Sequence, residues 1–437
     1  MLTAFVRAFK TPDLRRKILF TLMVMAIFRL GSFIPTPGVS YTDVQKCVQT
    51  GGAQDNQFLG MANLFSGGAM LQLSIFALGI MPYITASIII QLLTVVIPRF
   101  ETLKQEGQSG QAKMTQYTRY LTIGLALLQS STFVTFARNP GHLFGGGCEQ
   151  VLVDEHWTTL TLIVLTMTAG TGLIMWMGEL ITEKGVGNGM SLLIFTSIVA
   201  GFPGSLWSIK QRGGSWDVFF IVILIGLLII AAVVFVEQCQ RRIPVQYAKR
   251  MIGRRMYGGT STYIPLKVNQ AGVIPVIFAS SMLALPGLAV QFQQGNPDPP
   301  GWVTWISQNL VRGDHPVYMV VYTALIIFFT FFYVSISFNP EEVADNMKKY
   351  GGFIPGIRAG RPTVEYLSYV LNRVIVVGAT YLALISLIPL IAFAGLGASQ
   401  DFPFGGTSVL IMVGVGLETV KQIESQLQQR HYEGFLR

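Results

Sequence analysis

Charged residues are scarce in this sequence. Only 12% of its 437 residues are Asp, Glu, Lys or Arg, whereas about a quarter are charged in a typical soluble domain. Hydrophobic residues make up 51%, and the mean hydropathy is +0.51. This composition excludes an ordinary soluble globular protein and indicates one that crosses a membrane many times.

The motifs on which most enzymes depend are also missing. The sequence has no H-E-x-x-H, no P-loop and no C-x-x-C, and its four histidines form no pair at metal-ligand spacing. The glycines of GVGNG at 185–189 lack the spacing of a dinucleotide-binding loop and follow an apolar run instead of a strand. We therefore expect no enzymatic activity, no metal and no cofactor.

Ten apolar runs, bounded by charged and turn residues, predict an all-α polytopic membrane protein with ten crossings. An even number of crossings puts both termini on one side. Arg29 lies inside the first run and no small-residue cleavage site precedes Pro35, so this run is not expected to be a cleaved signal peptide. The runs extend over 18–34, 71–97, 121–137, 160–180, 190–202, 218–236, 271–290, 318–338, 374–393 and 409–420.

Basic residues are divided unequally between the two sides of the membrane. Most of the 31 lysines and arginines fall in the segments that face the termini. The opposite side holds only Lys46, Arg138, Lys210, Arg212 and Arg312. By the positive-inside rule, both termini and the basic loops face the cytoplasm.

The three cysteines are too few for a disulfide framework. Cys239 falls on the cytoplasmic side. Cys47 and Cys148 would lie on the outer face, where oxidation is permitted. A bridge between them and two free thiols are both compatible with the sequence.

Ionisable residues are nearly absent from the interior of the runs. Arg29 is the exception, and we interpret it as a packing or snorkelling residue near the outer end of its helix. Glu179 and Glu183 close the fourth run at the cytoplasmic surface, where we expect them to be solvated. Ion-coupled carriers usually keep carboxylates or histidines inside their helices, so a secondary transporter of a small solute is the weaker of two functional hypotheses.

The second run carries polar residues within an apolar segment, LSIFALGIMPYITASIIIQLL at 73–93. At helical spacing Ile80, Ile84, Ser87 and Gln91 share one face. This face is apolar at first and polar about two turns later, which is typical of a helix that lines a path for water or substrate.

The decapeptide before this run, MANLFSGGAM at 61–70, is too short to cross a membrane and too apolar for a solvated loop. Gly67 and Gly68 separate it from the helix that follows. It therefore predicts a re-entrant segment, near 58–70, folded into the protein.

Two long cytoplasmic loops are rich in basic residues. Residues 240–269 mix basic, aromatic and β-branched residues around Gly258 and Gly259, which predicts a two-stranded hairpin. Residues 339–368 begin as a helix and continue to a basic tip near Arg358. Both loops are expected to protrude into the cytoplasm.

In their order along the chain, these motifs resemble those of the SecY/Sec61-alpha family, the pore subunits of protein-conducting channels. The resemblance implies two inverted, pseudo-symmetric halves of five helices each around a central hourglass pore, residues 1–205 and 206–437, which together form one membrane domain. The longest matching stretches are RLGSFIPTPG at 29–38, ELITEKGVGNGMSLLIF at 179–195, YIPLKVNQAGVIP at 263–275, FNPEEVADNMKKYGGFIPGIRAGRPT at 338–363 and FGGTSVLIMV at 404–413.

The resemblance also implies roles that periodicity cannot supply: a hydrophobic pore ring, a plug that seals the outer vestibule, and a lateral gate towards lipid. Plain alternatives are core isoleucines and ordinary helix-packing amides. A hydrogen bond between Gln91 and Asn269 would hold the gate closed by about 1 kcal/mol. The implied ring is Ile80, Ile84, Ile194, Ile277 and Ile411; the plug is Asn63, Leu64, Phe65, Ser66, Gly67 and Gly68; the gate is Thr85, Ser87, Gln91, Asn269 and Ser281.

The function implied by the family is a channel that passes unfolded preproteins outward and releases transmembrane segments sideways into membrane lipid, in the bacterial cytoplasmic membrane. Implied partners are the subunits SecE and SecG, the motor ATPase SecA, the ribosome, and the preprotein with its signal sequence. Clustered basic side chains would bind ribosomal RNA or SecA, the alternative being solvated topology signals. These are Arg241, Arg242, Lys249, Arg250, Arg254, Arg255 and Arg358.

Overall fold

The computed structural model describes residues 9–50, 66–138, 151–154, 156–213, 216–247, 250–252, 255–257, 261–293, 300–310, 315–396 and 406–433. Helices dominate these residues, because a backbone in an apolar environment must satisfy its own hydrogen bonds. A helix lies over all or part of each of the ten apolar runs. The helices are α1 (Pro12–Gly31), α2 (Tyr41–Thr50), α3 (Met81–Val96), α4 (Pro98–Gln105), α5 (Gln108–Arg138), α6 (Trp157–Lys184), α7 (Gly189–Gly213), α8 (Trp216–Gln238), α9 (Ile274–Gln293), α10 (Gly301–Asn309), α11 (Pro316–Ser337), α12 (Pro340–Lys349), α13 (Arg361–Leu396) and α14 (Gly406–Glu433).

Only some of these helices are, by themselves, long and apolar enough to cross a membrane. Within the described residues three segments qualify: α6, the continuous stretch Pro316–Lys349, and Arg361–Ile388 of α13. A fourth is obtained if α3 and α4, which are bent by 102° at their junction, count as one span. Length and composition of the described helices therefore account for three or four crossings.

The second apolar run is not helical throughout, contrary to the crossing expected over 71–97. Residues 67–80 form consecutive turns, and α3 begins only at Met81, with Pro82 in its first turn. Leu73 and Gly79 have φ angles of 46° and 56°, in the left-handed region that a right-handed helix excludes.

The chain that follows α1 provides hydrogen-bond partners for the backbone of these turns. Thr36 N donates to Leu73 O over 3.1 Å, and Ile75 N donates to Ile34 O over 3.0 Å. Non-helical backbone at membrane depth is tolerated where protein covers it in this way.

The glycine-rich stretch 185–189 forms the tight turn between α6 and α7. Asn188 Oδ1 accepts a hydrogen bond from Met190 N over 3.1 Å and so caps α7. A Cβ on Gly189 would overlap the carbonyl oxygen of Gly178. Close packing of the two helices therefore requires glycine here.

The two long basic loops, expected to be cytoplasmic, fold together. The hairpin predicted for 240–269 is confirmed: β1 (Gln240–Tyr247) pairs antiparallel with β4 (Ser261–Lys267), and a smaller hairpin joins β2 (Arg250–Ile252) to β3 (Arg255–Tyr257). The second loop adds β5 (Gly352–Phe353) to the other edge of β1, giving the order β4-β1-β5.

A small apolar core lies beneath this sheet, formed with α12 and the start of α13. We call the described residues of 240–267 and 339–374 together the cytoplasmic module, after the side of the membrane on which the sequence is expected to place them. Its buried core residues are Ile243, Val245, Leu266, Met347, Ile354, Leu367 and Val370.

Of the cysteines in the described residues, Cys47 in α2 is disulfide-bonded and Cys239 is free. Cys148 lies outside the described residues.

Candidate functional site

The five isoleucines of the expected ring belong to one apolar cluster. Four are at most 8% exposed, and Ile84 is half-buried at the edge of the cluster. We call this group the isoleucine cluster. It draws on both predicted halves of the chain: Ile80 and Ile84 at the start of α3, Ile194 on α7, Ile277 on α9 and Ile411 on α14.

Local features bring these side chains into the cluster. Ile80 is the residue that immediately precedes α3, so the break in the second run determines its position. Gly272, with a φ of 64°, allows the turn that precedes α9. This turn sets the position of Ile277 in the first turn of that helix. The cluster offers branched aliphatic surface, and a narrow passage with such a lining resists ions by dewetting.

Residues 66–70, the described end of the segment expected to be re-entrant, pack against the isoleucine cluster, and we call them the re-entrant segment. Ala69 is 1% exposed and belongs to the same core. Ser66 Oγ accepts a hydrogen bond from Met70 N over 3.1 Å, which fixes the turn. Asn63, Leu64 and Phe65, also expected in the plug, lie outside the described residues.

Gly67 and Gly68 in this segment have φ angles of 67° and 90°, a conformation that favours glycine. A Cβ on Gly67 would lie 3.1 Å from Ser197 Cα and 3.2 Å from Arg29 Nη1. Gly67 is therefore held closely between α7 and the arginine side chain of α1.

Arg29 has specific partners that the sequence interpretation missed. Its Nη1 donates a hydrogen bond to the carbonyl oxygen of Gly67, and its guanidinium carbon lies 4.6 Å from the centroid of the Phe33 ring. The side chain is thus attached to the re-entrant segment and does not simply snorkel towards the outer surface.

The expected gate residues lie on α3 and on or just before α9. Those on α3 are Thr85, Ser87 and Gln91. Ser281 lies on α9, and Asn269 lies in the turn before it. Thr85 Oγ1 donates to Met81 O over 2.9 Å within α3, and Ser87 and Gln91 are half-buried further along the same helix. Ser281 on α9 has a buried hydroxyl with no hydrogen-bond partner. Ile88 of α3 packs against the main core of the C-terminal half, to which Val276 and Phe278 of α9 also belong.

The side-chain amide of Asn269 donates no hydrogen bond to Gln91. Its Nδ2 donates to Glu237 Oε1 over 2.6 Å and to Gly272 O over 3.2 Å, so both partners lie in the C-terminal half. Asn269 Oδ1 is buried and has no partner. It remains the acceptor through which a facing amide could bind.

The expected docking residues lie on the cytoplasmic module. Arg241, Arg242 and Arg358 are exposed. The Arg242 guanidinium carbon lies 4.8 Å from the centroid of the Tyr263 ring, and the Arg358 carbonyl accepts a hydrogen bond from Thr363 Oγ1 over 2.9 Å. Of the remaining four, Arg250 and Arg255 lie in β2 and β3, and Lys249 and Arg254 fall outside the described residues.

Glu179 is not simply solvated, and here the sequence expectation was wrong. Arg119 Nε and Nη2 each lie 2.7 Å from one of its carboxylate oxygens, and Arg119 Nη1 donates to Gln116 Oε1 over 3.0 Å. This two-point ion pair joins α5 to α6. A charge at position 119 with a partner 60 residues later gives no local sequence signal.

Metal-binding geometry is not found in the described part of the chain, where no three His, Cys, Asp or Glu residues are grouped so as to hold an ion. The side chains that converge at the isoleucine cluster are apolar. Such an aliphatic arrangement can occlude a passage.

The sequence is similar to known proteins over its whole length. The SecY family model matches residues 74–420. The "Protein translocase subunit SecY" of Streptomyces galbus is 66% identical over 444 residues, and those of Micrococcus luteus and Mycobacterium tuberculosis are 60% and 58% identical over 441 and 445 residues. In each case the alignment covers 100% of both chains.

Solved structures share the fold at much lower identity. One described as a protein-conducting channel has a TM-score of 0.62 at 20% identity, and Sec61 in the canine ribosome-channel complex from the endoplasmic reticulum has 0.59 at 19%. Both alignments cover 94% of this chain and 91% of the other.

Proposed function

This chain belongs to the SecY family, and on that premise we propose that it is the channel-forming subunit of a protein translocase. It passes unfolded preproteins across the bacterial cytoplasmic membrane and releases transmembrane segments laterally into the bilayer. The observation that carries this proposal is the isoleucine cluster, in which side chains from both halves of the chain meet with Ala69 of the re-entrant segment.

The chemistry of the cluster suits a passage for polypeptides of any sequence. Branched aliphatic side chains contact a passing chain without requiring particular hydrogen bonds, and a narrow apolar constriction resists ions by dewetting. In the proposed resting state the five isoleucines form the pore ring and the re-entrant segment is the plug. Opening moves the plug away and widens the ring.

The membrane arrangement in this proposal has ten crossings in two inverted halves, with both termini in the cytoplasm. Support comes from the helices that lie over the apolar runs and from the unequal distribution of basic residues. In such an arrangement the working site lies between the halves near the middle of the bilayer. The isoleucine cluster fits this position, because it contains side chains from both halves.

The lateral gate is the seam between α3 and α9. Contact of Ile88 with the core of the C-terminal half supports this assignment. The polar side chains Thr85, Ser87, Gln91, Asn269 and Ser281 border the seam, and a hydrogen bond across it would hold it closed by about 1 kcal/mol, which is small enough for an inserted hydrophobic helix to overcome. An inserted signal sequence then replaces these contacts and gains access to lipid.

The cytoplasmic module is the docking surface for SecA or the ribosome. Its apolar core gives it a fixed shape, and exposed Arg241, Arg242 and Arg358 offer donors to carboxylates or RNA phosphates. The driving force is supplied by these partners, because the chain itself is a non-enzymatic pore. SecE and SecG complete the complex.

The direct test is reconstitution of the chain with SecE and SecG in proteoliposomes, followed by addition of SecA, ATP and a secretory preprotein. Protease-protected preprotein should accumulate, and a preprotein arrested midway should cross-link to cysteines at Ile80, Ile194 and Ile411. A solute-dependent current or uptake without preprotein transport would instead favour a secondary transporter.

A further inference from the structure

We propose that Arg29 is a latch that holds the re-entrant segment in its seated position, and that opening of the pore requires this contact to break. The inference rests on the proposed function, because it takes residues 66–70 to be part of the plug. It assigns a conformational role to a residue whose sequence context suggested only packing or snorkelling.

The first argument is the location of the charge. Arg29 lies two residues before the end of α1, inside an apolar run, and its side chain is half-buried. A charged group at such a site is costly unless it has partners. The guanidinium finds them in the Gly67 carbonyl and the face of the Phe33 ring, and a hydrogen bond from a charged donor is about twice as strong as a neutral one.

The second argument is the fit on the side of the re-entrant segment. The left-handed conformation of Gly67 places its carbonyl towards α1, and the space where a Cβ would project is bounded by Ser197 and by Arg29 itself. Two residues later, Ala69 is buried in the isoleucine cluster. Moving Ala69 out of the cluster therefore carries Gly67 away from Arg29.

The third argument is that α1 and the chain that follows it hold the residues after the re-entrant segment by different contacts. The Phe28 and Phe76 rings stack with centroids 5.8 Å apart, and Thr36 Oγ1 donates to Leu73 O. These contacts lie beyond the re-entrant segment and can persist when it moves. Arg29 reaches the segment itself, so it biases the seated state over the displaced state.

The test measures the resting ion conductance of the reconstituted complex. Arg29→Met keeps side-chain length and removes the donors, and it should raise the resting conductance by about tenfold, the effect of losing one charged hydrogen bond on a two-state equilibrium. Arg29→Lys retains a donor and should restore most of the seal. Arg16→Met, an exposed site on the same helix, should leave the conductance unchanged.

A second readout detects movement of the segment without relying on conduction or on overall stability. Ala69→Cys introduces a buried thiol, which a membrane-impermeant maleimide added from the outer side labels only when the segment is displaced. Labelling should be faster with Arg29→Met than with Arg29. Equal labelling rates would overturn the latch.

A double-mutant cycle tests whether Arg29 acts through Gly67. Gly67→Ala disturbs the same contact from the other side, so its effect and that of Arg29→Met should be clearly less than additive. Additive effects would overturn the proposed coupling.

Ile84→Gly separates failure of the latch from failure of the pore. If Ile84→Gly raises the conductance while Arg29→Met changes neither conductance nor labelling, the latch is wrong and the pore stands. If Ile84→Gly has no effect either, the proposed pore is wrong and the latch is wrong with it.

Discussion

Asn269 donates a hydrogen bond of 2.6 Å to Glu237 and thereby ties the end of α8 to the turn before α9. The second N–H of the same amide reaches Gly272 O over 3.2 Å. The turn that starts α9 is fixed by these two bonds, and α9 carries Ile277 into the isoleucine cluster. Asn269 is thus tied to a carboxylate and a carbonyl within its own half of the chain.

Replacement of Asn269 by Asp should loosen this turn. Two carboxylates would then face each other where a hydrogen bond is now made, and the loss of a hydrogen bond to a charged group costs about 1.5–3 kcal/mol. Preproteins with defective signal sequences should be translocated more efficiently by Asn269→Asp than by the unaltered chain. Glu237→Gln keeps an acceptor and should have a smaller effect; unchanged stringency in Asn269→Asp would contradict a gating role.

The ion pair between Arg119 and Glu179 should stabilise the packing of α5 on α6. Both distances are 2.7 Å, and the side chains are 38% and 22% exposed, so Glu179→Gln should cost about 1 kcal/mol or more. Thermal unfolding of the complex in detergent measures the loss. The matched control is Glu106→Gln, which breaks the more exposed 3.5 Å pair with Lys113 and should change little.

Replacement by alanine should have different effects on stability at two glycines of α6. A Cβ on Gly170 would overlap the Ile75 carbonyl oxygen, in the turns that precede α3, whereas nothing lies within 4 Å of a Cβ on Gly172. Gly170→Ala should cost about 2 kcal/mol or more through forced movement of backbone. Gly172→Ala should be neutral or stabilise the helix by up to about 1 kcal/mol, and equal thermal stabilities of the two variants would refute this packing.

Charge reversal on the cytoplasmic module should weaken docking in a salt-dependent way. For Arg242→Glu and Arg358→Glu we expect weaker binding to ribosomes or SecA, with the slope of log affinity against log salt reduced by about one for each lost phosphate contact on RNA. Arg15→Glu, an exposed change on α1 outside the module, serves as control. Binding that stays intact in both module variants would show that these arginines are only solvated topology signals.

Sequence patterns predicted the helices well where long apolar runs impose them, as in α6 and α11. They failed over residues 71–80, which are as apolar as a helix but precede α3 and do not join it. The choice between helix and turns depends there on Gly79, on Pro82 and on the backbone partners at Ile34 and Thr36, which only the packed chain supplies.

The contacts that position the site were the least predictable part. Arg29 bonds to Gly67, Asn269 to Glu237 and Arg119 to Glu179, across 38, 32 and 60 residues. Periodicity shows which face of a helix is apolar, and it does not show which helix lies opposite. The five isoleucines were identified through the family resemblance, because isoleucine occurs throughout such helices.

The resting conductance of the reconstituted complex with glycine at Ile80 or Ile84 tests the central claim most directly. Ile90→Gly is the matched control, because Ile90 is a buried isoleucine of the same helix α3 that belongs to a different core. Our account predicts a clear rise in ion conductance for Ile80→Gly and Ile84→Gly and no rise for Ile90→Gly. Unchanged conductance in both cluster variants, or an equal rise in all three, would contradict the assignment of these isoleucines to the pore ring.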